Sequence, residues 1–224
     1  MFHLWGAFSN GVDENTRPIK EELIRANSQG VVLDLGAGFG HSIRYLERSR
    51  VTRYIAVEPN ARMHTKIRQV ANASGFLEED GSLAILGCGA GDVSAILRAT
   101  AGGIDTIVSV LSMCSLTDPK RDLERLVRDV LKSGGQLIFY EHVLNPRDDV
   151  AWWQAFYAPV WSLFFDGCRL NQPTDKWVEN MKNTDQEGHE VSMWREGRCW
   201  ADERIKPEEA LVWHVAGRFV KTFL

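Results

Sequence analysis

Cysteine is scarce and scattered in this 224-residue chain. Its four copies, Cys88, Cys114, Cys168 and Cys199, form no CxxC pair, so neither a disulfide framework nor a metal site is expected, and the thiols read as reduced. Positive charge is not in excess. The formal net charge is -4, the wrong sign for a surface that must neutralise phosphates, and nucleic acid is not an expected partner. No apolar run approaches the ~20 residues that span a bilayer. Met1 to Asn10 lacks both a basic opening and a long apolar stretch, so no transmembrane segment or secretory signal is expected and the location reads as cytoplasmic. Internal repeats, low-complexity tracts and domain linkers are also missing, which predicts one domain over residues 1–224. With 44% hydrophobic and 25% charged residues the composition is ordinary for a globular chain. Tryptophan alone is uneven: seven of eight lie after residue 150, which marks the C-terminal third as a different kind of segment.

Short apolar, β-branched runs recur along the first two thirds: Val31–Leu35, Tyr54–Val57, Leu83–Leu86, Thr106–Val110 and Gln136–Tyr140. Such continuous runs suit parallel strands covered on both faces. Helical patterns stand between them. A short amphipathic helix is expected around Pro18–Ile24, another after Gly40 through Ile43 and Leu46, and the best-defined from Pro119 to Lys132. In that last one Leu123, Leu126, Val127, Val130 and Leu131 share one face. Alternation of strand and helix predicts an α/β fold, a doubly wound, mostly parallel sheet with helices on both faces and ligands at the carboxyl ends of the strands. Later, a helix is expected around Trp177–Met181, strands at Glu190–Trp194 and Trp213–Phe219 as a closing hairpin, and loops at Lys182–His189 and Asp202–Glu209.

Asp34-Leu35-Gly36-Ala37-Gly38-Phe39-Gly40 follows the first strand directly. Glycines there let the backbone approach a ligand. The GxGxG spacing differs from the GxGxxG of dinucleotide sites. An acidic residue two before the first glycine would repel a pyrophosphate but suits an ammonium group, such as that of S-adenosylmethionine. Glu58 ends the second strand, 18 residues after Gly40, where a carboxylate accepts both hydroxyls of a ribose. Gly91-Asp92 follows the third strand, where a carboxylate can take a hydrogen bond from an adenine amino group.

In the order of these motifs the chain resembles the S-adenosylmethionine-dependent methyltransferases of the doubly wound type. DLGAGFG looks like their first motif and AVEPN like their second; IDTIVSVLSMCSL and LKSGGQLIFYEHV look like the later strand motifs. More narrowly it is similar to the thiol methyltransferases of the endoplasmic reticulum and their fungal and bacterial relatives. That likeness rests on Ser112-Met113-Cys114-Ser115, Glu141-His142-Val143, Phe165-Asp166-Gly167-Cys168-Arg169-Leu170 and His214-Val215-Ala216-Gly217. The membrane-bound relatives carry an N-terminal anchor that this sequence is expected to lack. The resemblance implies a seven-stranded sheet whose last strand is antiparallel. It implies an N-terminal helical cap over 1–30, a cofactor-binding half over 31–145 and an acceptor-side segment over 146–224.

The cofactor contacts so implied are Asp34, Gly36, Ala37, Gly38 and Gly40 in the glycine loop, and Glu58, Pro59, Asn60 and Met63 after the second strand. Gly91, Asp92 and Val93 follow the third, and Ser109 and Leu111 end the fourth. His142, at a strand's carboxyl end and with a pKa suited to neutral pH, is the expected base. Asp166 is a second candidate because an aromatic setting would raise its pKa. Met113, Cys114, Trp153, Tyr157 and Trp161 are the expected acceptor contacts. The aromatic stretch Trp152–Phe165 reads either as a core-facing helix pair, as a lid over an apolar acceptor, or as an interfacial segment. The expected reaction is methyl transfer to a small apolar acceptor, a thiol first and a hydroxyl of secondary metabolism next. A cofactor-binding protein without transfer is the remaining reading.

Overall fold

The structure, a computed structural model, describes residues 2–100 and 102–223, with the side chains of 2–5, 7, 8 and 209 outside that description. Met1, part of the N-terminal stretch read above, lies outside the described residues.

Helix α1 (Phe2–Lys20) runs on through a π-helical turn, Glu21–Arg25, into β1 (Gly30–Leu35). There follow β2 (Val51–Val57), α2 (Ala61–Ala73), β3 (Leu83–Leu86), α3 (Val93–Ala99), β4 (Ile104–Val110) and α4 (Pro119–Arg125), which closes in a π turn, Leu126–Val130. Next come β5 (Leu131–Val143), α5 (Asp148–Phe164), α6 (Thr174–Glu179), β6 (Lys182–Thr184), β7 (Glu190–Ser192), β8 (Trp194–Ala201) and β9 (Trp213–Lys221). Seven strands form one sheet in the order β3-β2-β1-β4-β5-β9-β8. The first five strands of that order pair in parallel, and β9 is antiparallel to both β5 and β8. This is the expected doubly wound sheet with its last strand reversed.

The two faces of the sheet are built by alternation along each strand. Leu33, Leu35, Ile55, Val57 and Ile107 pack on one side with Ile96, Leu126 and Val130 of the helices. Val32, Tyr54, Ala56 and Val108 pack on the other with Ile24, Ile67 and Val70. Apolar residues on both faces are what make these runs continuous in sequence. Caps fix where helices begin: the side chains of Asn60, Asp92 and Asp118 accept backbone N–H groups of the first turns of α2, α3 and α4. β1 connects outward to β2 on one side while β4 lies on its other side, so the crevice at their carboxyl ends is the topological switch point.

Several expected elements differ. The glycine loop leads into a short 3₁₀ turn, His41–Tyr45, and not a longer helix; β2 must start at Val51, which leaves too few residues for more than one turn. The Pro119–Lys132 helix stops at Val130, and Leu131 and Lys132 already belong to β5. The closing hairpin is β8 with β9. Glu190–Ser192 pairs instead with Lys182–Thr184 as a separate ribbon across a turn at 185–189. Helix α5 is not core-facing: Gln154 and Ala158 are its buried residues, while Trp152, Trp153, Phe156 and Tyr157 stand exposed.

Candidate active site

Two adjoining cavities open at the carboxyl edge of the sheet. The first, about 700 Å³, lies over the turn after β1. Gly36 and Gly38 hold positive φ angles of 63° and 56°, a region costly for other residues. At Gly36 space is also closed, since a Cβ would stand 2.6 Å from Cβ of Ser112. Ser112 is held there by its own hydroxyl, which donates to the Leu35 carbonyl at 2.7 Å. The bare backbone therefore forms the wall of the cavity.

Glu58, at the end of β2, borders this cavity. Its Oε2 accepts the Gly38 N–H at 2.9 Å and its Oε1 the Asn60 N–H at 2.9 Å. Each oxygen keeps a lone pair, the arrangement that two neighbouring hydroxyls need. Burial raises its pKa, against the lowering effect of the two N–H groups. Ala37, Pro59, Met63, Gly91, Asp92 and Leu111 also line the cavity, as expected from the sequence.

Five expected cofactor residues do not line it. Asp34 is buried behind the turn, where the Tyr54 hydroxyl donates to its Oδ2 at 2.6 Å; burial lifts its pKa to about 6. Its side chain supports the loop from behind. Gly40 packs against Ile43 and Ile67. The Asn60 side chain caps α2 at Arg62. Val93 faces the core. Ser109 is fully buried and donates to Glu141 Oε1 at 2.8 Å.

That glutamate is a brace that sequence reading missed. Glu141 Oε1 accepts also the backbone N–H groups of Ser112 and Met113, at 3.0 and 3.2 Å. It thereby fixes the turn in which Leu111 takes a φ of 54°. Burial raises the Glu141 carboxyl to about 7. A second omission is a polar stripe on α1. Ser9, Asp13, Thr16 and Lys20, spaced as one helical face, are all buried. Asp13 receives Lys20 Nζ at 2.8 Å, the Tyr45 hydroxyl at 3.0 Å and Arg44 Nη1 at 3.2 Å. Burial opposes its ionisation, but these partners, Lys20 foremost, hold its pKa below the usual range. Ser9, Asp13, Lys20 and His41 line the first cavity. Burial holds His41 at about 4, and neither of its ring nitrogens has a hydrogen-bond partner.

The second cavity, about 510 Å³, shares Val12, Leu111 and Ser115 with the first. Cys114, His142, Trp161 and Cys168 line it, together with Tyr140, Asp202, Arg204 and His214. Cys168 Sγ lies 3.4 Å from His142 Nε2 and accepts the Trp161 indole N–H at 3.3 Å. The Cys168 thiol is held below its usual range by Cys114 first and then by His142. Burial, the largest influence on His142, pulls its pKa down, but contacts with Cys168, Glu141 and the Arg169 carbonyl lift it above the ordinary value. Asp166 is exposed and lines the first cavity, while its near neighbours Phe165 and Cys168 line the second. Met113 is wholly buried in the core. Trp153 and Tyr157 stack on each other at the surface, outside both cavities. Among the described residues no helix is long and apolar enough to cross a membrane.

A family model described as Methyltransferase domain matches residues 12–200. The chain is 30% identical to thiol S-methyltransferase TMT1B of Homo sapiens over 160 residues, 70% of this chain and 62% of that protein. It is 37% identical to thiol S-methyltransferase TMT1A of Homo sapiens over 81 residues, 35% of this chain and 32% of that protein. The matched stretch thus spans less than two thirds of these relatives. The backbone is similar to that of geranyl diphosphate C-methyltransferase from Streptomyces coelicolor A3(2), solved with S-adenosyl-L-homocysteine, at a TM-score of 0.61 and 14% identity, covering 92% of this chain and 76% of that one. An O-methyltransferase family protein from Burkholderia thailandensis gives 0.63 at 13% identity, covering 97% and 59%. These structural likenesses concern the fold. On the match over residues 12–200, with the glycine turn and Glu58 in place, the chain belongs to the methyltransferase domain family.

Proposed function

We propose that this chain transfers the methyl group of S-adenosyl-L-methionine to the sulfur of a small, largely apolar thiol. The observation that carries the proposal is the junction at Leu111 of two cavities. One is bordered by the glycine turn and Glu58, the other is lined by apolar rings with His142 and two cysteines. The first fits the cofactor's parts: a bare backbone wall, a carboxylate with two free lone pairs for a ribose diol, and Asp92 beside it for an adenine edge. Asp13 and Lys20, ion-paired with each other at 2.8 Å, line the same cavity and are a charged pair available to the cofactor's ammonium and carboxylate.

When bound, the cofactor supplies a methyl carbon already activated by a sulfonium. The chain's own tasks are alignment and exclusion of water. Leu111 and Ser115, common to both cavities, set the line between donor and acceptor. Trp161 and Phe165, stacked at 4.1 Å, enclose the acceptor side. A thiol of pKa near ~8.5 is already a few per cent thiolate at neutral pH, so little basic help is needed. His142 Nε2 is the polar group placed to hold the acceptor's proton. The thiol S-methyltransferase relatives support sulfur over oxygen as the acceptor atom.

The test is calorimetric binding of S-adenosyl-L-homocysteine, followed by incubation of the protein with methyl-labelled cofactor and a panel of small thiols and phenols. Binding with labelled thioether as the main product is expected. Binding with no labelled product from any acceptor would support a cofactor-binding protein without transfer.

A further inference from the structure

Cys114, His142 and Cys168 stand far apart in sequence, at separations of 28 and 26 residues, on three different elements. Cys114 sits in the 3₁₀ turn Met113–Ser115 after β4, His142 is the penultimate residue of β5, and Cys168 follows α5. The fold brings one donor atom of each within 4.8 Å of the others. The Arg169 N–H donates to the Cys114 carbonyl at 3.1 Å and so fastens the Cys168 loop to the turn. All three residues are buried, yet all three line the acceptor-side cavity, so the cluster has one open side.

We propose that these three side chains form a binding site for a soft divalent cation of the zinc class, with a fourth coordination position open to the acceptor cavity. Tetrahedral zinc with sulfur at ~2.3 Å and nitrogen at ~2.0–2.1 Å places sulfur and nitrogen ligands ~3.5 Å apart and two sulfurs ~3.8 Å apart. The Cys168 Sγ to His142 Nε2 distance is 3.4 Å; from the 4.8 Å bound the sulfur–sulfur pair needs to close by at most ~1.0 Å and the Cys114–His142 pair by at most ~1.3 Å to meet that geometry. Two thiolates and a neutral imidazole around a dication give a complex with no net charge, which suits a buried site. Each bound cysteine gives up its thiol proton to solvent on binding. The Trp161 indole N–H on Cys168 is the kind of outer hydrogen bond that orients a thiolate ligand.

Three protein ligands and one open position is the pattern of zinc sites that act on a substrate; closed structural sites use four. Where the acceptor is a thiol, which rests on the functional reading above, its sulfur takes the open position as the thiolate and its proton leaves to solvent. His142 is then a ligand, and the ion lowers the acceptor's pKa in place of a base. This departs from the expectation of no metal drawn from the missing CxxC pair.

The test uses full-length protein stripped with a chelator under reducing conditions and titrated with cadmium chloride and cobalt chloride, without acceptor. A sulfur-to-cadmium charge-transfer band saturating at one ion per chain is expected, as are the intense visible bands of four-coordinate cobalt. Cys114→Ser and Cys168→Ser should each weaken binding by at least ~10–100-fold, whereas Cys199→Ser, on β8, should leave it unchanged. Unaltered affinity for S-adenosyl-L-homocysteine would confirm that the variants are folded. No saturable band in the wild type, or the same band in the double variant, would overturn the site. Metal binding is read here without methyl transfer, so a failure of the thiol reading would show separately, in the labelled-product assay.

Discussion

The carboxylate of Glu58 accepts the Gly38 N–H at 2.9 Å and so ties the end of β2 to the turn after β1. One side chain both shapes the glycine turn and borders the cavity above it. Glu58→Ala should therefore weaken binding of S-adenosyl-L-homocysteine by ~1.5–3 kcal/mol, the range for a hydrogen bond to a charged group. Isothermal calorimetry reads this directly, and an unchanged dissociation constant would remove Glu58 from the ribose site.

Gly36 is constrained twice, by its φ of 63° and by Ser112 Cβ, 2.6 Å from where its own Cβ would stand. Gly36→Ala should cost ~1–3 kcal/mol from the backbone alone, with a further loss of cofactor affinity as Ser112 is displaced. Adding Ser112→Gly relieves the contact but not the φ, so urea unfolding of the double variant should recover only part of the stability. Full recovery would show that the positive φ costs little.

Glu141 gives the fold a pH dependence of known sign. Its folded pKa, about 7, lies above the unfolded value near 4.5, so between those values the folded state holds the extra proton. Stability contributed by the protonated form is complete below about pH 4.5 and declines as pH rises toward 7, by roughly 3 kcal/mol in all. Asp34, raised to about 6, acts in the same direction. Glu141→Gln mimics the protonated side chain. Urea unfolding from pH 5 to 8 should show a shallower decline in the variant than in the wild type, and identical slopes would refute the assignment.

Much of this architecture is legible in the sequence because strands covered on both faces have no polar alternation. Val31–Leu35 and Tyr54–Val57 stand out for that reason, and the glycine turn and Glu58 follow from where those strands end. The illegible parts have equally physical causes. Ser9, Asp13, Thr16 and Lys20 form a buried polar face on α1, and periodicity of apolar residues cannot detect a face that is satisfied by ion pairs. Asp34 has the position of a ligand contact, but Tyr54, on the next strand β2, which lies beside β1 in the sheet, takes its carboxylate inward. Cys114, His142 and Cys168 meet only through tertiary packing.

The aromatic helix α5 divides along its length. Trp153 is 46% and Tyr157 43% exposed, while Trp161 lines the second cavity. Trp153→Ala and Tyr157→Ala should leave kcat/KM within about twofold of wild type, as expected of surface substitutions. Trp161→Ala, which also removes the hydrogen bond to Cys168, should lower it ~10-fold or more by loosening the acceptor's enclosure. Steady-state kinetics with one small thiol checks the contrast, and equal effects at all three positions would place the acceptor elsewhere.

The most direct measurement is a competition. The protein is given methyl-labelled S-adenosyl-L-methionine and an equimolar mixture of an aryl thiol and the phenol of the same ring, and the products are resolved by mass spectrometry. Labelled thioether should dominate, and Glu58→Ala should reduce it in step with cofactor affinity. Labelled ether as the main product would contradict sulfur as the acceptor, and no labelled product from either would contradict methyl transfer itself.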